Sequence, residues 1–528
     1  MRPVTTCAFC NIGCYLEGDG KNGMLNKVEY HLGTIYEGRL CPRGNAASIL
    51  YNHPKRLFEP RIKTKRASWK EVKNLLLGKT KEFKKDEIAI VFDESLTREE
   101  VEAVQYIAGF FNTEKIYWGF AEPEAVFSYI KKKVSKIEEI EGLDAAFVIG
   151  DMFSKAPVAA NFIIKRREKF EEFSLIVVDA FKSVTSKFAT ASFILPVQRI
   201  PFFLYALCVF SGRIKKPIFS KDRILEILKI KEENIKIIVE TLEKKKTGIF
   251  YVPCSGRSFD PILDAWILNL IFEVFDKTVY FPIGIRLPEG DALPTGELVS
   301  DTASGAVKGL LCFGPRFPFM YPHIKPFIKK VKFSMFSSYF APGPLFSADV
   351  ILPLLTPFEK QGKIHTFFDE RTLTPLGNFS GAKDVSYIAN MLEKGKKVIP
   401  QKVTFKEIEV KKRFERLIEK KKKKKDYNFI LLGEERAFGF YELFNQENYI
   451  KLNPSDAAEF RIKSMENVNV ETDKGRTALV AVLTPELEKR TAVLSMNHIE
   501  SRAVMEFVID AETGDAFISP TWGKIWKA

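Results

Sequence analysis

Four cysteines, Cys7, Cys10, Cys14 and Cys41, stand in the spacing C-x2-C-x3-C-x26-C and make up four of the seven cysteines in the chain. Three thiolates on one short loop, joined by a fourth that returns after a hairpin-sized insertion, are the ligand set that a [4Fe-4S] cluster takes. Structural zinc is the alternative. It is usually held by two matched C-x2-C pairs or by a Cys/His mixture, and an uneven triplet with a distant single suits it poorly. Pro42-Arg43-Gly44 follows the fourth cysteine. Arg43 is therefore either a cation beside the thiolates, stabilising a reduced cluster and raising its potential, or a plain surface arginine. Cys208, Cys254 and Cys312 sit singly in the apolar stretches FFLYALCVF, IFYVPCSG and LLCFG, where a cysteine behaves as a small buried hydrophobe.

The elements that must position these groups can be read in part. GMLNKVEYHLGTIYEGRL predicts two short strands with glycine turns that fold back to deliver Cys41. From Trp69 the pattern becomes helix and apolar strand in alternation. Helices are predicted over 69–83, 98–111 (capped by Ser95 or Thr97) and 159–168, and strands over 88–92, 145–149 and 175–178. A second series has strands at 247–252, 309–313 and 334–340, and Ala348–Pro353 returns as another strand. Such alternation predicts doubly wound, mostly parallel sheets whose ligands sit at the carboxyl ends of strands. The strand ends Gly150-Asp151 and Asp179-Ala180 carry no G-x-G-x-x-G, so a nicotinamide site is not expected. Residues 403–426 read as a charged linker. From Tyr427 to Ala528 short strands and turns predict a closed β barrel.

A chain of 528 residues is too long for one core and implies three or four domains. The boundaries expected are 1–60, 61–214 with 341–402, 215–340, 403–426 and 427–528. The balance of 81 basic against 67 acidic residues gives a net charge of +14. Much of the excess is local, in the six lysines Lys420 to Lys425 preceded by Lys411, Lys412, Arg413 and Arg416. A solvated linker, or docking to an acidic partner subunit, accounts for that run, and nucleic acid is not an expected partner. MRPVTTC leaves no room for the apolar stretch of a signal peptide, and the longest apolar run, Ile200 to Phe210, is about half a membrane span. The expectation is a cytoplasmic protein without disulfides or a membrane span, peripheral to a membrane only through a complex.

In order and in motif the chain resembles the molybdopterin oxidoreductase family, which includes formate dehydrogenases, formylmethanofuran dehydrogenases and the large iron-sulfur subunit of NADH:quinone oxidoreductase. Besides the cysteines, the resemblance rests on GRLCPRGNAA with LYNHPKRLFEPRIK and ASWKEVKNLL, LDAAFVIGDMFSKAPVAANFIIKRRE with LIVVDAFKSVTSKFATASFILPV, FSADVILPLLTPFEKQGKIHTFFDERTLTPLG, and KLNPSDAAEFRIKSMENVNVETDKGR. It implies a small β-rich iron-sulfur domain at the amino end, two doubly wound α/β domains and a C-terminal double-psi β barrel, an α/β fold overall.

The departures from that pattern bear on cofactors. Family members that act on substrate hold molybdenum or tungsten with a cysteine, selenocysteine, serine or aspartate after the first βαβ unit. The corresponding NTEKIYWGFAEPEAVFSYIKKKVSKIEEIEG has no cysteine and leaves only Ser128, Glu122 or Glu124 as substitutes. Gly150-Asp151-Met152-Phe153 stands where the family has Gly-x-Asn-Pro, and Asp179-Ala180-Phe181 where it has Asp-Pro-Arg. The glycines of Gly-Ile-x-x-Gly-Asp are replaced in Phe460-Arg461-Ile462-Lys463-Ser464-Met465-Glu466. Carboxylates and bulky side chains there argue against tight binding of a molybdopterin guanine dinucleotide. The resemblance therefore implies an iron-sulfur electron-transfer subunit of a cytoplasmic redox complex, with Cys7, Cys10, Cys14 and Cys41 on the cluster and Arg43 biasing its potential. Its partners would be other subunits carrying iron-sulfur clusters or flavin. The further ferredoxin-like portion of the NADH:quinone oxidoreductase subunit is expected as a separate polypeptide. One alternative is a catalytic bis-pterin subunit acting on formate or a related one-carbon compound, against which stands the lack of any histidine between His53 and His323. Another is a zinc-bearing scaffold without redox chemistry.

Overall fold

The computed structural model describes residues 2–21, 23–34, 39–287, 290–341, 348–366, 368–377, 381–393, 395–399, 408–419, 426–435 and 448–528. Lys420 to Lys425 and residues 403–407 of the 403–426 segment lie outside the described residues. The chain divides into two compact units. One comprises Met1–Ala121, Ile285–Lys406 and Phe507–Phe517, the other Glu122–Gly284, Glu407–Glu506 and Ile518–Ala528.

The first unit opens with a three-stranded antiparallel sheet of β1 (Val4–Thr6), β2 (Tyr15–Lys21) and β3 (Met24–Tyr30), followed by α1 (Pro42–Asn45) and α2 (Ala47–Asn52). Next come β4 (Arg61–Ile62), β5 (Lys65–Arg66), α3 (Trp69–Glu82), β6 (Ile88–Phe92), α4 (Arg98–Phe110) and β7 (Ile116–Trp118). Both helices start on a capping box, Ser68 with Glu71 and Thr97 with Glu100, which satisfies backbone N–H groups that have no partner inside the helix. After the strands of the other unit the chain returns with β13 (Gly309–Phe313), β14 (Phe333–Ser338) and β15 (Val350–Pro353), then the hairpin β16 (Gly362–His365) and β17 (Glu370–Leu373). The seven-stranded sheet runs β5-β4-β15-β14-β13-β6-β7. Every residue of β6, β13 and β14 is buried, as befits parallel strands covered on both faces.

The second unit contains β8 (Ala145–Ile149), α5 (Met152–Lys155), α6 (Pro157–Lys169), β9 (Ser174–Asp179), α7 (Val184–Lys187), β10 (Ala191–Ile194), α8 (Ile200–Phe210), β11 (Thr247–Tyr251) and β12 (Val279–Pro282). Their parallel sheet has the order β10-β9-β8-β11-β12. The apolar run Ile200–Phe210 is a buried core helix, and among the described residues no helix is long and apolar enough to cross a membrane. The barrel is closed by β18 (Phe429–Glu434), β19 (Tyr449–Leu452), β20 (Asn467–Thr472), β21 (Gly475–Leu483), β22 (Thr491–Ser495) and β25 (Thr521–Lys527), in the order β18-β22-β19-β21-β20-β25. The β18–β22 and β19–β21 pairs are parallel within an otherwise antiparallel ring. β23 (Glu506–Ile509) and β24 (Ala516–Ser519) form a separate two-stranded ladder.

The strands sort into sheets differently from the partition expected above. β11 and β12 pair with β8 and its neighbours, while β13 and β14 pair with β6. Each is a short, fully apolar run that would suit any central position, so nothing local names its neighbour. The 403–426 segment is also more than a linker. Its helix Val410–Glu419 buries Phe414 among Phe202, Tyr205 and Phe219, at ring separations of 4.8, 5.3 and 5.6 Å. Arg413 of the same helix pairs with Asp260 at 2.7 Å.

Two positions take the left-handed conformation where the family pattern would place glycines. In Arg461-Ile462-Lys463-Ser464-Met465-Glu466, Arg461 has φ 56° and Met465 φ 66°, the left-handed region that side chains with a Cβ disfavour by about 1–2 kcal/mol. Returning glycine at both should raise stability by about 0.5 kcal/mol per site, the relief being partly offset by the entropy glycine gains when unfolded. Chemical denaturation of Arg461→Gly, Met465→Gly and the double variant checks this; unchanged or lowered midpoints would show that the strain is absorbed elsewhere.

Candidate functional site

Cys7, Cys10, Cys14 and Cys41 are all buried and unpaired by disulfides. β1 enters the loop that carries the first three and is laced to β17, Thr374 N–H donating to Thr5 Oγ1 at 2.9 Å and Thr6 Oγ1 to the Thr372 carbonyl at 3.3 Å. The loop closes on itself through Cys7 N–H, which donates to the Cys14 carbonyl at 2.7 Å. Gly13 takes φ 64°, and a Cβ there would lie 2.6 Å from Thr366, so the turn before Cys14 requires glycine. Cys41 is the residue that leads into α1.

Burial pushes the Cys7 thiol well up, with Cys10 and Cys41 adding to the shift. Cys14 is raised by burial and then by Cys10, Cys7 and Cys41. Burial also raises Cys10, against the opposing pull of Arg43. The fold thus gathers four thiols into one buried neighbourhood where their anionic forms repel. Two cations border it. Arg43 is buried and donates to the Phe9 carbonyl at 3.5 Å. Arg371, which the sequence reading did not single out, donates to the Gly13 carbonyl at 2.8 Å, pairs with Asp369 at 2.7 Å and lies over the Tyr15 ring at 4.4 Å. Its charge opposes the rise at Cys14. Among the described residues no group of three or more His, Cys, Asp or Glu side chains is arranged to hold a metal ion as the structure stands. By donor type, an all-thiol and buried set bordered by arginines fits an iron-sulfur cluster.

Each α/β sheet also has a switch point, where neighbouring strands hand the chain off in opposite directions and ligands of such sheets bind. In the first unit it falls between β6 and β13. There Arg316 N–H donates to Asp93 Oδ2 at 2.8 Å, Arg316 Nε approaches Glu94 Oε1 at 3.1 Å, and the buried Arg286 donates to the Glu94 carbonyl. Burial pushes the Glu94 carboxyl up to about 8, against the pull of Arg316.

In the second unit the switch point falls between β8 and β11, and it is filled by ion pairs. Lys155, at the end of α5, contacts Glu124 at 2.5 Å, Glu435 at 2.6 Å and the Pro253 carbonyl at 2.6 Å. Arg502 pairs with Glu122 at 2.7 Å and with Glu435 at 3.3 Å. Ser255 donates to the second oxygen of Glu122. A third cation, Arg257, binds Asp179 at 2.8 Å and 3.0 Å and stacks 3.9 Å over Phe181. The guanidinium missing from Asp179-Ala180-Phe181 in sequence is thereby supplied in space by a residue 76 positions after Phe181. Asp151 is spent locally, accepting from Thr185 Oγ1 at 2.7 Å and from Ser154 N–H at 3.4 Å.

The sequence candidates for a substitute metal ligand are thus divided. Glu122 and Glu124 are buried in this network, whereas Ser128 is exposed and donates to the Ala125 carbonyl at 2.8 Å. Cys208 and Cys312 lie in apolar surroundings as expected, in α8 and β13. Cys254 does not. Burial raises its thiol, but its charged neighbours include Glu435, Arg257 and Lys155; its apolar sequence context hid this because those groups arrive from distant segments. Phe153 stacks on Phe188 at 5.2 Å and lines an open cavity of about 320 Å³ with Ile163, Ile164, Arg167 and Leu175.

Comparison with known proteins bears on both places. Residues 435–519 match the molydopterin dinucleotide binding domain. Over 65 residues the chain is 35% identical to the NADPH-Fe(3+) oxidoreductase subunit alpha of Geobacter sulfurreducens, covering 12% of this chain and 8% of that one. It is 30% identical over 109 residues to the F420-dependent formate dehydrogenase 2 subunit alpha of Methanococcus maripaludis, covering 20% and 16%, and 25% identical over 203 residues to the formate dehydrogenase 1 subunit alpha of that organism, covering 35% and 29%. The matched stretches thus span less than a third of each curated relative. The solved structure of acetylene hydratase from Pelobacter acetylenicus superposes with a TM-score of 0.74 over 99% of this chain and 100% of that one at 12% identity, a likeness of fold. In its matched domain and in its fold the chain resembles the molybdopterin oxidoreductase family. Within it, formate dehydrogenase and Fe(3+) oxidoreductase alpha subunits are among its relatives.

Two buried carboxylates, Glu122 and Glu124, and the partly buried Glu435 face two buried cations, Lys155 and Arg502. Burial pushes the Glu124 carboxyl up to about 7, Lys155 opposing and Glu435 and Glu122 adding. A carboxyl raised in the folded state binds its proton more tightly there than when unfolded. Its contribution to stability is complete below its ordinary pKa and is lost as pH climbs through about 7. Glu124→Gln, which is neutral throughout, should flatten the fall in stability between about pH 5 and pH 8 by an amount on the order of 2 kcal/mol. Denaturant melts of both proteins across that range test this, and parallel pH profiles would refute it.

Proposed function

We propose that this chain is an iron-sulfur electron-transfer subunit of a cytoplasmic redox complex, built on a molybdopterin oxidoreductase scaffold without a working molybdenum or tungsten site. The observation that carries the proposal is the second unit's switch point. Lys155, Arg502 and Arg257 are each paired there with the chain's own carboxylates. A pterin dinucleotide brings a pyrophosphate, which needs donors and positive charge at its backbone approach. Here it would meet Glu122, Glu124, Glu435 and Asp179. The first unit's switch point supports the same reading, with Asp93 and Glu94 against Arg316.

In this reading Cys7, Cys10, Cys14 and Cys41 hold a [4Fe-4S] cluster, which when bound supplies one-electron transfer. Arg43 and Arg371 offset negative charge beside the thiolates, and β17 holds Arg371 in place against the loop. The partners are other redox subunits carrying iron-sulfur clusters or flavin; the relatives' own names are those of alpha subunits.

A second reading has specific support. The match of residues 435–519 to a dinucleotide-binding domain and the formate dehydrogenase relatives favour a catalytic bis-pterin subunit acting on formate or a related one-carbon compound. Elemental and pterin analysis of protein purified without oxygen decides between the two. Expected are about four iron and four sulfide per chain, with molybdenum, tungsten and pterin far below one. Stoichiometric molybdenum or tungsten would establish the second reading, and zinc in place of iron would remove both. Cys10→Ser should abolish the visible absorbance and the reduced-state paramagnetic signal. Arg371→Gln should leave the iron content intact and lower the midpoint potential, as measured by redox titration; an unmoved potential would reduce Arg371 to a brace for the loop.

A further inference from the structure

The tip of the β16–β17 hairpin is built against the cysteine loop, although Arg371 lies 358 positions beyond Gly13. Arg371 holds both neighbours of Cys14. It donates to the Gly13 carbonyl at 2.8 Å and lies 4.4 Å over the ring of Tyr15. Its Nε also donates to the two carboxylate oxygens of Asp369, at 2.7 and 2.9 Å. The guanidinium therefore reaches the loop with a counter-charge already attached.

Asp369 is fixed by the turn that carries it. Its N–H donates to Thr366 Oγ1 at 3.0 Å, Thr366 N–H donates to its carbonyl at 2.9 Å, and the Thr366 hydroxyl donates to its Oδ1 at 2.7 Å. Thr366 in turn abuts the loop, since a Cβ on Gly13 would fall 2.6 Å from its methyl carbon. One tight turn thus fixes the carboxylate, the guanidinium and the loop relative to one another. Glu370, next in sequence, is engaged elsewhere, pairing at the surface with Lys363 at 2.7 Å and Arg98 at 2.8 Å.

The two charges of the Arg371–Asp369 pair are unequally exposed. The arginine side chain is 5% exposed and the aspartate side chain 45%. Water screens the carboxylate more than the guanidinium, so the pair presents the cysteine loop with a positive charge that is reduced but not cancelled. Net charge nearby is one of the factors that set the potential of an iron-sulfur cluster. A cation alone favours the reduced cluster, and the same cation carrying an anion favours it less.

On the electron-transfer reading given above, we propose that Asp369 is a positioning residue for the cluster held by Cys7, Cys10, Cys14 and Cys41. It sets Arg371 against the loop and trims the amount by which that charge raises the potential. Asp369 exchanges no electron and no proton in this role.

The test is anaerobic redox titration of the full-length, cluster-loaded protein, followed by visible absorbance and the reduced-state paramagnetic signal, with iron counted in every variant. Asp369→Asn retains the Oδ1 that accepts from Thr366 and Arg371 and removes the charge. Its ratio of reduced to oxidised cluster at a fixed potential should rise about threefold, against a fall of about tenfold, or about 59 mV for one electron, in Arg371→Gln. The double variant should fall between Arg371→Gln and the unmodified protein, because losing both members of the pair restores part of the balance. Glu370→Gln should leave the ratio unchanged. A ratio in Asp369→Asn that is unmoved or lower, or one matched by Glu370→Gln, would overturn the proposal. So would loss of iron from Asp369→Asn, which would make Asp369 a brace for the loop. Each of these results leaves the cluster reading in place. Unmodified protein with no iron-sulfur chromophore would remove the cluster reading and this proposal with it.

Discussion

Burying acids and bases together is the constraint on which the second unit turns. Taking a carboxylate out of water costs several kcal/mol, and only well-placed cations and hydrogen bonds recover it. Lys155 and Arg502 serve Glu122, Glu124 and Glu435, and burial raises the Glu124 carboxyl against the pull of Lys155. Every member depends on the rest, because removing one cation would strand a charge in the interior. The five side chains come from the 3-10 turn at Pro123–Tyr129 and the residue before it, α5, the end of β18 and the helix Ile499–Ala503. The network therefore ties the barrel to the sheet within this unit. A crevice so constructed is stable because its charges are already matched, and an added polyanion would have to displace one of them.

The cysteine neighbourhood has the opposite character. Burial and mutual repulsion raise Cys7, Cys10 and Cys14, against the opposing pull of Arg43, Arg371 and the loop's own backbone hydrogen bonds. One place is paired by its own side chains; the other, as proposed, would gain from cationic iron. That contrast, rather than either site alone, is what the electron-transfer proposal rests on.

Much of this was legible in the amino-acid sequence, and what was not follows a pattern. Signals contained within a few residues could be read: the C-x2-C-x3-C loop, the cap at Thr97, and the apolar strands 88–92, 145–149 and 309–313. Assigning those strands to sheets was not possible, since β6 and β13 are over 200 residues apart and equally apolar. The charged groups behaved the same way. Glu122 and Glu124 were visible as acids in a shortened segment, but Arg502 lies 380 residues beyond Glu122 and gave no sign of being its partner. Arg371 and Arg257 were missed because their roles depend on a hairpin and a strand end that only the tertiary fold brings to Gly13 and Asp179. Cys254 was misread for the same reason.

The barrel carries the tension between the two functional readings within one stretch of chain. Residues 435–519, which match a dinucleotide-binding domain, begin at Glu435 and include Arg502, the acid and the base that complete the network around Lys155. In the same stretch Arg461 and Met465 hold positive φ without being glycine. A path kept at the cost of strain at two positions is one that the surrounding strands over-determine. The backbone of a binding domain can therefore outlast its chemistry, since register and closure of β18 to β25 fix the former while a few side chains fix the latter. On that view a family match across the barrel and an acid-filled crevice beside Lys155 are compatible, the match reporting the path of the chain and the crevice reporting what its side chains are now arranged to bind.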